Sequence, residues 1–490
     1  MLETSIDSGR MINLREHFKL SAVYTFFAAF PALLQLIVYP AIEGEARLGA
    51  ADFGYLAITE AIISVVFLIC TFGMGTSIAR FYYDHREKAS GYGYLVSSIL
   101  TGIIGRGMLL LGVALLMAPQ IGQLFSQPEL QDFGRYGPSL VIAGLNRSVI
   151  STLLVLYRNE KRVKAFVIVS FFSGIFRSGF QLAGVFLYDL SFIGYVYGTA
   201  LGGAVMAIAL AVYTYTSCGI HYKRPLLKAL HRFALPLFLT EFIYWGLLFG
   251  DRFFLLNNPE ELGIYDNAMK FAIGVQMIIQ GLTAASQPEV YRYMKEGIKK
   301  REDEIRTVLS LFIAEAAGII SLAILPVMLF ISTFYETELT LSAGLVGIIF
   351  ARFLLRAQYQ VFSWPLLFRK KTGVFFLINS LVLVINLSIN WFLTPRIGYY
   401  GAVTAFIAAF VIQIVLLRAV QHRKAPVKYN TMKVFWFPLS IIMVAALLEA
   451  VKVLLSLNPY LTAVALVLYI WGGLAIIYRN EIQWVLSRII

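Results

Sequence analysis

The sequence predicts an all-α integral membrane protein of about 14 transmembrane helices, built as two six-helix lobes in parallel repeat around a central cavity, plus two C-terminal helices. Three observations predict the transmembrane helices: the apolar composition, the recurrence of long apolar runs, and an alternation of basic and non-basic connections. The arrangement in two lobes is predicted separately, from short motifs that recur along the chain. Of the 490 residues, 59% are hydrophobic and only 14% are charged, and the mean hydropathy is +0.74. A soluble domain is about 45–50% apolar and about 25% charged, so this chain has too few polar groups to cover a soluble surface.

The apolar runs divide the chain into spans in a regular order. A helix needs about 20 apolar residues to cross the hydrocarbon core of a bilayer. The predicted spans cover residues 20–42, 54–78, 92–117, 136–157, 164–187, 192–215, 233–255, 264–287, 307–332, 340–364, 373–394, 398–419, 432–455 and 459–478. The first six form an N-terminal lobe (1–232), the next six a C-terminal lobe (233–431), and the last two with the tail occupy 432–490. Because the connections are short, the helices must carry the function.

The connections differ in their content of Lys and Arg. Those that follow odd-numbered spans hold few bases, whereas those that follow even-numbered spans hold many. Three of them contain Arg158, Lys161, Arg162 and Lys164; Lys223, Arg224, Lys228 and Arg232; and Arg292, Lys295, Lys299, Lys300, Arg301 and Arg306. Cytoplasmic connections are enriched in Lys and Arg, so Met1 and Ile490 are both expected in the cytoplasm. The same bases account for the net charge of +13, and no nucleic-acid partner is needed to explain it.

A short internal repeat links the two lobes. Asp52-Phe53-Gly54-Tyr55 opens the second span, and Glu261-Leu262-Gly263-Ile264 opens the eighth. Ile193-Gly194-Tyr195 opens the sixth span, and Ile397-Gly398-Tyr399 opens the twelfth. An even number of spans in each unit makes the repeats parallel, related by an axis along the membrane normal. In transporters of this kind the substrate site lies at the repeat interface near the midplane.

Cations inside the predicted spans are candidates for a substrate site. A charge at the bilayer centre costs at least about 2.5–3.5 kcal/mol, and basic residues outnumber acidic ones at depth. The candidate substrate-binding residues are Arg147, Arg177, Arg352, Arg356, Arg106, Lys270 and Arg252. For the first four we expect one water-filled cationic cavity, with Arg352 and Arg356 on the same helix face because they are four residues apart. Guanidinium groups match phosphate geometry and stay charged, which favours a phosphate- or carboxylate-bearing substrate.

The acidic residues inside the spans allow a second interpretation, in which the cations are packing partners. The pairs Asp266–Lys270 and Glu449–Lys452 have the spacing of local helical ion pairs. Glu60 and Glu315 could each bridge to one arginine. Glu60 and Glu241 are also candidates to carry a coupling ion, H⁺ or Na⁺. The sequence contains no metalloprotease, hydrolase or Walker motif, and no cofactor or enzymatic activity is expected.

Three stretches carry a family resemblance. The first runs from Phe53-Gly54-Tyr55-Leu56 through Thr71-Phe72-Gly73-Met74-Gly75 to Ala79-Arg80-Phe81-Tyr82; the second combines Gly250-Asp251-Arg252-Phe253-Phe254-Leu255 with Leu262-Gly263-Ile264-Tyr265; the third contains Trp364-Pro365, Lys370-Lys371-Thr372, Asn386, Asn390, Thr394-Pro395-Arg396-Ile397-Gly398 and Gly401-Ala402. In this order they resemble the polysaccharide, or O-antigen type, flippases of the multidrug/oligosaccharidyl-lipid/polysaccharide exporter superfamily, over residues 15–430.

The resemblance implies a function and a location. It implies a flippase in the bacterial inner membrane that moves a lipid-diphosphate-linked oligosaccharide, a polysaccharide repeat unit, from the inner to the outer leaflet by alternating access. It also implies a cationic lumen, and Arg147, Arg177, Arg352 and Arg356 fit that description by residue type and depth. The expected partners are the lipid-linked oligosaccharide, membrane lipid, the coupling ion and other polysaccharide-assembly proteins.

Four alternatives stay open at the level of sequence. A lipid II flippase also has fourteen spans. A multidrug or cation antiporter of the same fold would place acids in its cavity and usually has twelve spans. A membrane polymerase or ligase that acts on the same glycolipid would carry a long outward loop, and the outward connections here are short. A non-transporting subunit of a polysaccharide export complex would share the composition.

Overall fold

The computed structural model describes residues 14–85, 89–188, 191–371, 373–479 and 481, and within them it is an all-helical bundle without β-strands. The predicted cytoplasmic termini, Met1 and Ile490, lie outside the described residues. The helices are α1 (Leu14–Ile42), α2 (Ala50–Thr71), α3 (Met74–His85), α4 (Ala89–Leu116), α5 (Ala118–Gly122), α6 (Pro128–Gln131), α7 (Phe133–Asn159), α8 (Val163–Tyr188), α9 (Phe192–Cys218), α10 (Arg224–Leu255), α11 (Pro259–Gly297), α12 (Glu302–Phe334), α13 (Val346–Ala351), α14 (Leu354–Phe368), α15 (Gly373–Ile397), α16 (Tyr399–Lys424), α17 (Phe437–Leu455) and α18 (Pro459–Ile477). A 3-10 helix (Glu338–Leu345) precedes α13, and a π-helical turn (Met432–Trp436) precedes α17.

The described part of the chain contains 14 helical segments that are long and apolar enough to cross a membrane, which confirms the predicted number. The second span continues from α2 into α3, the tenth joins the 3-10 helix, α13 and α14, and the short helices α5 and α6 do not span. Two helices extend beyond their predicted limits: α10 begins at Arg224, and α11 continues to Gly297. Both extensions are polar, so hydropathy does not mark them. The predicted limit after residue 232 therefore falls inside α10, whose first turn begins with Arg224-Pro225.

The two sets of six spans share one contact pattern. In the N-terminal lobe α8 packs on α9 and α1, and α7 packs on α9 and α2. In the C-terminal lobe α15 packs on α16 and α10, and α14 packs on α16 and α11. Each of these four contacts in the first lobe thus has its counterpart between the matching spans of the second. Helices α17 and α18 pack against each other and against α13 and α12 of the C-terminal lobe.

The caps of α9 and α16 give the residue equivalence of the repeat. The N-cap of α9 is Ser191 (φ 56°, ψ −147°), and the N-cap of α16 is Gly398 (φ 57°, ψ −139°). The same unusual backbone conformation at both caps equates Ser191 with Gly398, and hence Gly194 with Gly401. The match by sequence, Gly194 with Gly398, is shifted by one helical turn, because a short Gly-Tyr motif does not reveal which residue precedes the helix.

Two equivalent acids hold these caps in place. Asp52 of α2 accepts a hydrogen bond from the Ser191 hydroxyl, and Glu261 of α11 accepts one from the Tyr399 backbone N–H at 3.2 Å. Each acid stands two residues before the glycine of its motif, Gly54 or Gly263. A carboxylate beside the first turn of a helix is stabilised by the exposed N–H groups there. The acid-x-Gly motif therefore ties the second span of each lobe to the sixth.

The two lobes meet where α2 and α11 begin. A Cβ atom on Gly54 would lie 2.0 Å from the Pro259 carbonyl oxygen, and one on Gly263 would lie 1.9 Å from that of Ala50. Only glycine permits this backbone-to-backbone approach. Nearby, the buried Glu43 carboxylate, just beyond α1, accepts hydrogen bonds from the backbone N–H groups of Glu336 (2.9 Å) and Thr337 (2.6 Å) in the C-terminal lobe. Gly54, Gly263 and the group formed by Glu43, Glu336 and Thr337 are referred to below as the interlobe contact.

Candidate functional site

A carboxylate shared by two arginines lies on the inner side of the N-terminal lobe. Glu60 of α2 binds Arg147 of α7 through Oε1 at 2.8 Å and Arg177 of α8 through Oε2 at 3.5 Å. Arg147 also donates to the Ser64 hydroxyl at 3.4 Å, and its guanidinium lies 5.0 Å from the Phe67 ring centroid. These three charged residues, the Glu60 cluster, carry a net positive charge.

The Glu60 cluster remains accessible although it lies within three spans. The side chains of Arg147, Arg177 and Glu60 are 44%, 27% and 35% exposed. Trp245 of α10 donates its indole N–H to the carbonyl oxygen of Ala61 at 3.1 Å, beside Glu60. The cluster therefore borders the helices of the other lobe and has free hydrogen-bonding capacity for a ligand.

Polar side chains continue from Arg177 along the inner surface of the N-terminal lobe. The Tyr195 hydroxyl donates to Gln35 Oε1 at 2.8 Å, and Gln35 Nε2 donates to Gln181 Oε1 at 3.0 Å. The Tyr39 ring stacks on that of Tyr195, with 6.1 Å between centroids. On the opposite side, the Lys270 ammonium of α11 lies 3.8 Å from the Tyr39 ring centroid. This surface therefore faces the C-terminal lobe, and a cation–π contact crosses between the lobes.

The C-terminal lobe contains a buried network of charged residues around Asp266. Asp266 accepts hydrogen bonds from Arg252 Nε (2.9 Å) and Nη2 (2.7 Å), and its other oxygen lies 3.2 Å from Lys270 Nζ, which confirms the expected Asp266–Lys270 pair. Asp251 accepts a hydrogen bond from the Tyr265 hydroxyl at 2.5 Å. With Arg352, whose guanidinium donates to that hydroxyl at 3.2 Å, the network holds three cations and two anions.

Arg352 does not reach open space in this structure, contrary to the expectation that all four arginines face one solvated cavity. It is fully buried, 4.0 Å from the Phe406 ring centroid and in contact with the Met269 sulfur. The helix breaks at Arg352-Phe353, between α13 and α14, and this turn directs the guanidinium into the packing between α11 and α16. Its charge is met by aromatic faces and a hydroxyl.

Arg356 occupies a different environment from Arg352. Between them the backbone stays right-handed helical but has i→i+3 hydrogen bonds at Arg352-Phe353, and the two guanidinium groups meet different neighbours. The Arg356 guanidinium lies 4.7 Å from the Tyr244 ring centroid of α10, and no ion pair to it occurs among the described residues. Its side chain is partly buried.

Arg106 bridges the two lobes at the end of α10 that follows the basic connection. Its Nε donates to the Cys70 carbonyl oxygen at 2.9 Å, and Nη1 lies 2.9 Å from His231 Nε2. His231 Nδ1 lies 2.6 Å from the Leu227 carbonyl oxygen. Both contacts are satisfied when His231 carries its proton on Nδ1, so that Nε2 accepts from the arginine. Arg106 thus packs α4 against α10.

Of the remaining acidic residues inside the spans, one forms an ion pair and two form none among the described residues. Glu449 forms the expected ion pair with Lys452, which also donates to the Gly344 carbonyl oxygen at 2.8 Å. Glu241 and Glu315 are exposed, and within the described ranges neither forms an ion pair. Glu315 therefore bridges to no described arginine, whereas Glu60 bridges to two. The described residues contain no group of His, Cys, Asp and Glu that could hold a metal ion.

The polar surface around Tyr39, Tyr195 and Gln35 and the role of Glu43 were not predicted from the sequence. Gln35 interrupts the apolar run of the first span, and a polar residue at that depth is the signal that could have identified this surface. Glu43 gives no such signal, because its partners are backbone N–H groups distant in the chain.

Comparisons with known proteins agree with this architecture. Residues 46–344 match the family model described as polysaccharide biosynthesis protein. The structure of the lipid II flippase MurJ in an inward closed conformation aligns with 95% of this chain and 100% of its own length, with a TM-score of 0.68 at 15% identity. An inward-facing multidrug resistance MATE family transporter aligns with 82% of this chain and 94% of its own, at a TM-score of 0.60 and 15% identity.

A third structure, a superfamily transporter from Pyrococcus furiosus, aligns with 83% of this chain and 96% of its own, at a TM-score of 0.53 and 15% identity. Among curated proteins no sequence matches. At these identities the likeness concerns the fold alone. The predicted fold class, with two six-helix lobes and two additional helices, is confirmed.

Proposed function

The chain belongs to the polysaccharide biosynthesis protein family, and from this premise we propose that it is a flippase for a lipid-diphosphate-linked oligosaccharide, the repeat unit of a polysaccharide. The observation that carries the proposal is the Glu60 cluster, an accessible, net-positive group at the lobe interface of a transporter fold. Exposed guanidinium groups in a site of reduced polarity bind phosphate through paired hydrogen bonds. The neighbouring glutamines and tyrosines supply donors and acceptors that suit sugar hydroxyl groups.

The proposed mechanism is alternating access between lobes 1–232 and 233–431, with 432–490 as an addition. The interlobe contact closes the end whose connections carry few bases, which is the outer end under the positive-inside rule. The diphosphate head group then enters from the cytoplasmic side while the lipid tail stays in the bilayer. Rocking of the lobes breaks the interlobe contact and releases the head group outside. The proposal includes a location in a bacterial inner membrane, with both termini in the cytoplasm.

The membrane potential favours this direction. Moving one charge through 100 mV is worth about 2.3 kcal/mol, so a diphosphate of charge near −2 gains about twice that on leaving an inside-negative cell. The same field also favours the return of the empty cavity, because its positive charge then moves toward the negative inside. An inward-moving H⁺ or Na⁺ would travel on this return step, bound to an acid of the empty cavity.

The candidate residues take graded roles in this proposal. Arg147 and Arg177 bind the diphosphate directly, and Glu60 competes with the substrate for the same guanidinium groups. Glu60 and Glu241, which is exposed on α10, are the two candidate acids to carry a coupling ion inward on the return step. Arg356 and Lys270 face the substrate from the C-terminal lobe. Arg252 and Arg352 hold Lys270 and Tyr265 in place, and Arg106 becomes available when α4 and α10 separate.

The test is polysaccharide export in cells that depend on this chain, with protein abundance measured in parallel. We expect Arg147→Ala to reduce export about tenfold or more at unchanged abundance, and Arg147→Lys to reduce it less, because the charge remains while the paired donors are lost. Arg306→Ala is the matched control, since Arg306 is 47% exposed and paired with Asp303 at 2.7 Å outside the site. Normal export by an Arg147→Ala, Arg177→Ala double variant would contradict the proposal.

The same experiment separates the alternatives. A non-transporting subunit of an export complex would lose export only when its partners dissociate, so the arginine variants would export normally. Accumulated lipid II rather than lipid-linked repeat unit would indicate a lipid II flippase. Greater sensitivity to organic cations with unchanged polysaccharide would indicate an antiporter. The proposal expects the repeat unit to accumulate on the inner leaflet.

A further inference from the structure

The N-terminal lobe contains a cavity, separate from the Glu60 cluster, at the end of the bundle where the connections are basic. It holds about 290 Å³ and lies between the start of α4 and the ends of α7 and α9. Four tyrosines, a cysteine and a histidine dominate its lining: Tyr92, Tyr94, Tyr157, Tyr213, Cys218 and His221. None of the candidate substrate residues lines it.

Arg162 supplies a cation at the wall of this cavity. Its guanidinium donates to the Tyr213 hydroxyl at 3.2 Å and lies 5.2 Å from the Tyr157 ring centroid. Its only described acidic partner is Glu160, at 3.5 Å, and that carboxylate also accepts a hydrogen bond from the Tyr92 hydroxyl. The arginine side chain is 46% exposed. A long ion pair with a shared carboxylate leaves most of the guanidinium donors free to bind an anion.

The two connections that flank the cavity make its surroundings strongly positive. One contributes Arg158, Lys161, Arg162 and Lys164, and the other contributes Lys223, Arg224, Lys228 and Arg232. Glu160 is the only acid in these two stretches, residues 158–164 and 219–232. Lys223 extends its ammonium over the Tyr94 ring, 4.4 Å from the centroid. Such a field concentrates anions at the mouth of the cavity.

An apolar stripe on α9 leads from the cavity along the outside of the bundle. Val205, Ile208 and Val212 are exposed at spacings of three and four residues, and the stripe ends at Tyr213 on the cavity wall. An exposed apolar stripe on a spanning helix contacts lipid chains. A soluble anion would make no use of it, whereas a phospholipid would fill both regions, with its head group in the cavity and a chain along the stripe.

We propose that this cavity binds the head group of an anionic phospholipid, with its phosphate on Arg162 and Tyr213 and its polar alcohol among the remaining tyrosines. Basic pockets between spanning helices on the cytoplasmic side are a recognised setting for anionic head groups. The volume suits a compact head group such as phosphoglycerol. The bound lipid joins α4, α7 and α9 at their cytoplasmic ends. The inference does not depend on the substrate proposed above.

The test uses the purified full-length protein in detergent, with bound lipid counted by native mass spectrometry. The probes are phosphatidylglycerol, zwitterionic phosphatidylcholine and inorganic phosphate. We expect wild type to retain phosphatidylglycerol preferentially, and Arg162→Ala to weaken that binding by about tenfold, the effect of losing one charge-assisted contact. Arg306→Ala is the matched control: its exposure is 47% against 46% for Arg162, and it lies in the other lobe.

A second variant keeps the proposal testable if Arg162→Ala folds poorly. Ser217 lies exposed on the cavity rim, so Ser217→Trp fills the cavity without disturbing the core, and we expect it to exclude the lipid. Equal retention of phosphatidylcholine, equal loss in the Arg306→Ala control, or unchanged binding by Ser217→Trp would each overturn the proposal. Binding of inorganic phosphate as tight as that of phosphatidylglycerol would show a soluble-anion site instead.

Discussion

Under the proposed function, Glu60 sets the charge that a substrate would meet between the lobes. Its single carboxylate binds both Arg147 and Arg177, so the cluster keeps one net positive charge. A second carboxylate would have neutralised it. The network around Asp266 differs, because Asp251, Arg252 and Asp266 are buried and pair with one another, and the Lys270 side chain keeps only 13% exposure. We therefore expect substitutions in the Glu60 cluster to reduce transport at unchanged abundance, and substitutions in the Asp266 network to reduce stability.

Replacing Asp266 should damage folding. Asp266→Asn leaves Arg252 and Lys270 buried without their carboxylate, and breaking a buried pair costs about 3–5 kcal/mol. We expect low abundance and a large fall in thermal stability in detergent. Asp303→Asn is the control, because Asp303 also meets an arginine at 2.7 Å but is 83% exposed, and exposed pairs contribute only about 0–1 kcal/mol. Equal effects of the two substitutions would contradict the burial of the network.

Substitutions of Arg352 test whether this side chain serves to pack the C-terminal lobe. Arg352→Ala removes a fully buried side chain that contacts Phe406 and Tyr265, so we expect a loss of roughly 2–4 kcal/mol in stability. Arg352→Met keeps most of the volume and removes a charge that meets no carboxylate directly in the described structure, so its effect should be smaller. Full stability of Arg352→Ala, measured by thermal unfolding, would show instead that the residue faces solvent.

The residue types and depths of these charges followed from the sequence, and the local pairs Asp266–Lys270 and Glu449–Lys452 followed from helical spacing. The environment of Arg352 could not be predicted in this way. It depends on a helix break at Arg352-Phe353, within an apolar run without glycine or proline at that point. Which arginine finds an acid depends in turn on contacts between helices far apart in the chain.

The acid-x-Gly motif at the start of α2 and of α11 performs two tasks. The acid holds the cap of the sixth helix of its own lobe, and the glycine brings the two lobes into backbone contact. The repeat could be recognised from the sequence because these tasks constrain both residues. The offset between α9 and α16 was misjudged, since Ser191 and Gly398 share a backbone conformation but not a residue type.

A methyl group at Gly54 should disturb the interlobe contact. Gly54→Ala places a Cβ 2.0 Å from a backbone oxygen of the other lobe, which no side-chain rotation relieves, and overpacking of this kind costs about 1–3 kcal/mol. We expect the lobes to separate at this end, visible as a longer spin-label distance across it. Gly112→Ala in α4 is the control: nothing lies within 4 Å of its Cβ. An unchanged distance in Gly54→Ala would contradict the close approach.

The basic connections are concentrated at one end of the molecule, and this asymmetry predicts its orientation in the membrane. Glu260 lies in the first turn of α11 and Lys299 lies two residues beyond its other end, and both are exposed. We expect a cysteine at position 299 to react with a membrane-impermeant reagent only from the cytoplasm, and one at position 260 only from outside. Labelling of position 299 in intact cells would show that the topology is the reverse of the predicted one. The direction of transport would then be reversed as well.

Transport by the purified protein tests the central claim most directly. In vesicles reconstituted with this chain alone and a fluorescent lipid-diphosphate oligosaccharide, wild type should move the glycolipid across the bilayer. The Arg147→Ala, Arg177→Ala double variant, reconstituted to the same density, should do so at least about tenfold more slowly, because the guanidinium groups that hold the diphosphate are gone. Equal rates for the two proteins, or no transfer by wild type above protein-free vesicles, would contradict the account.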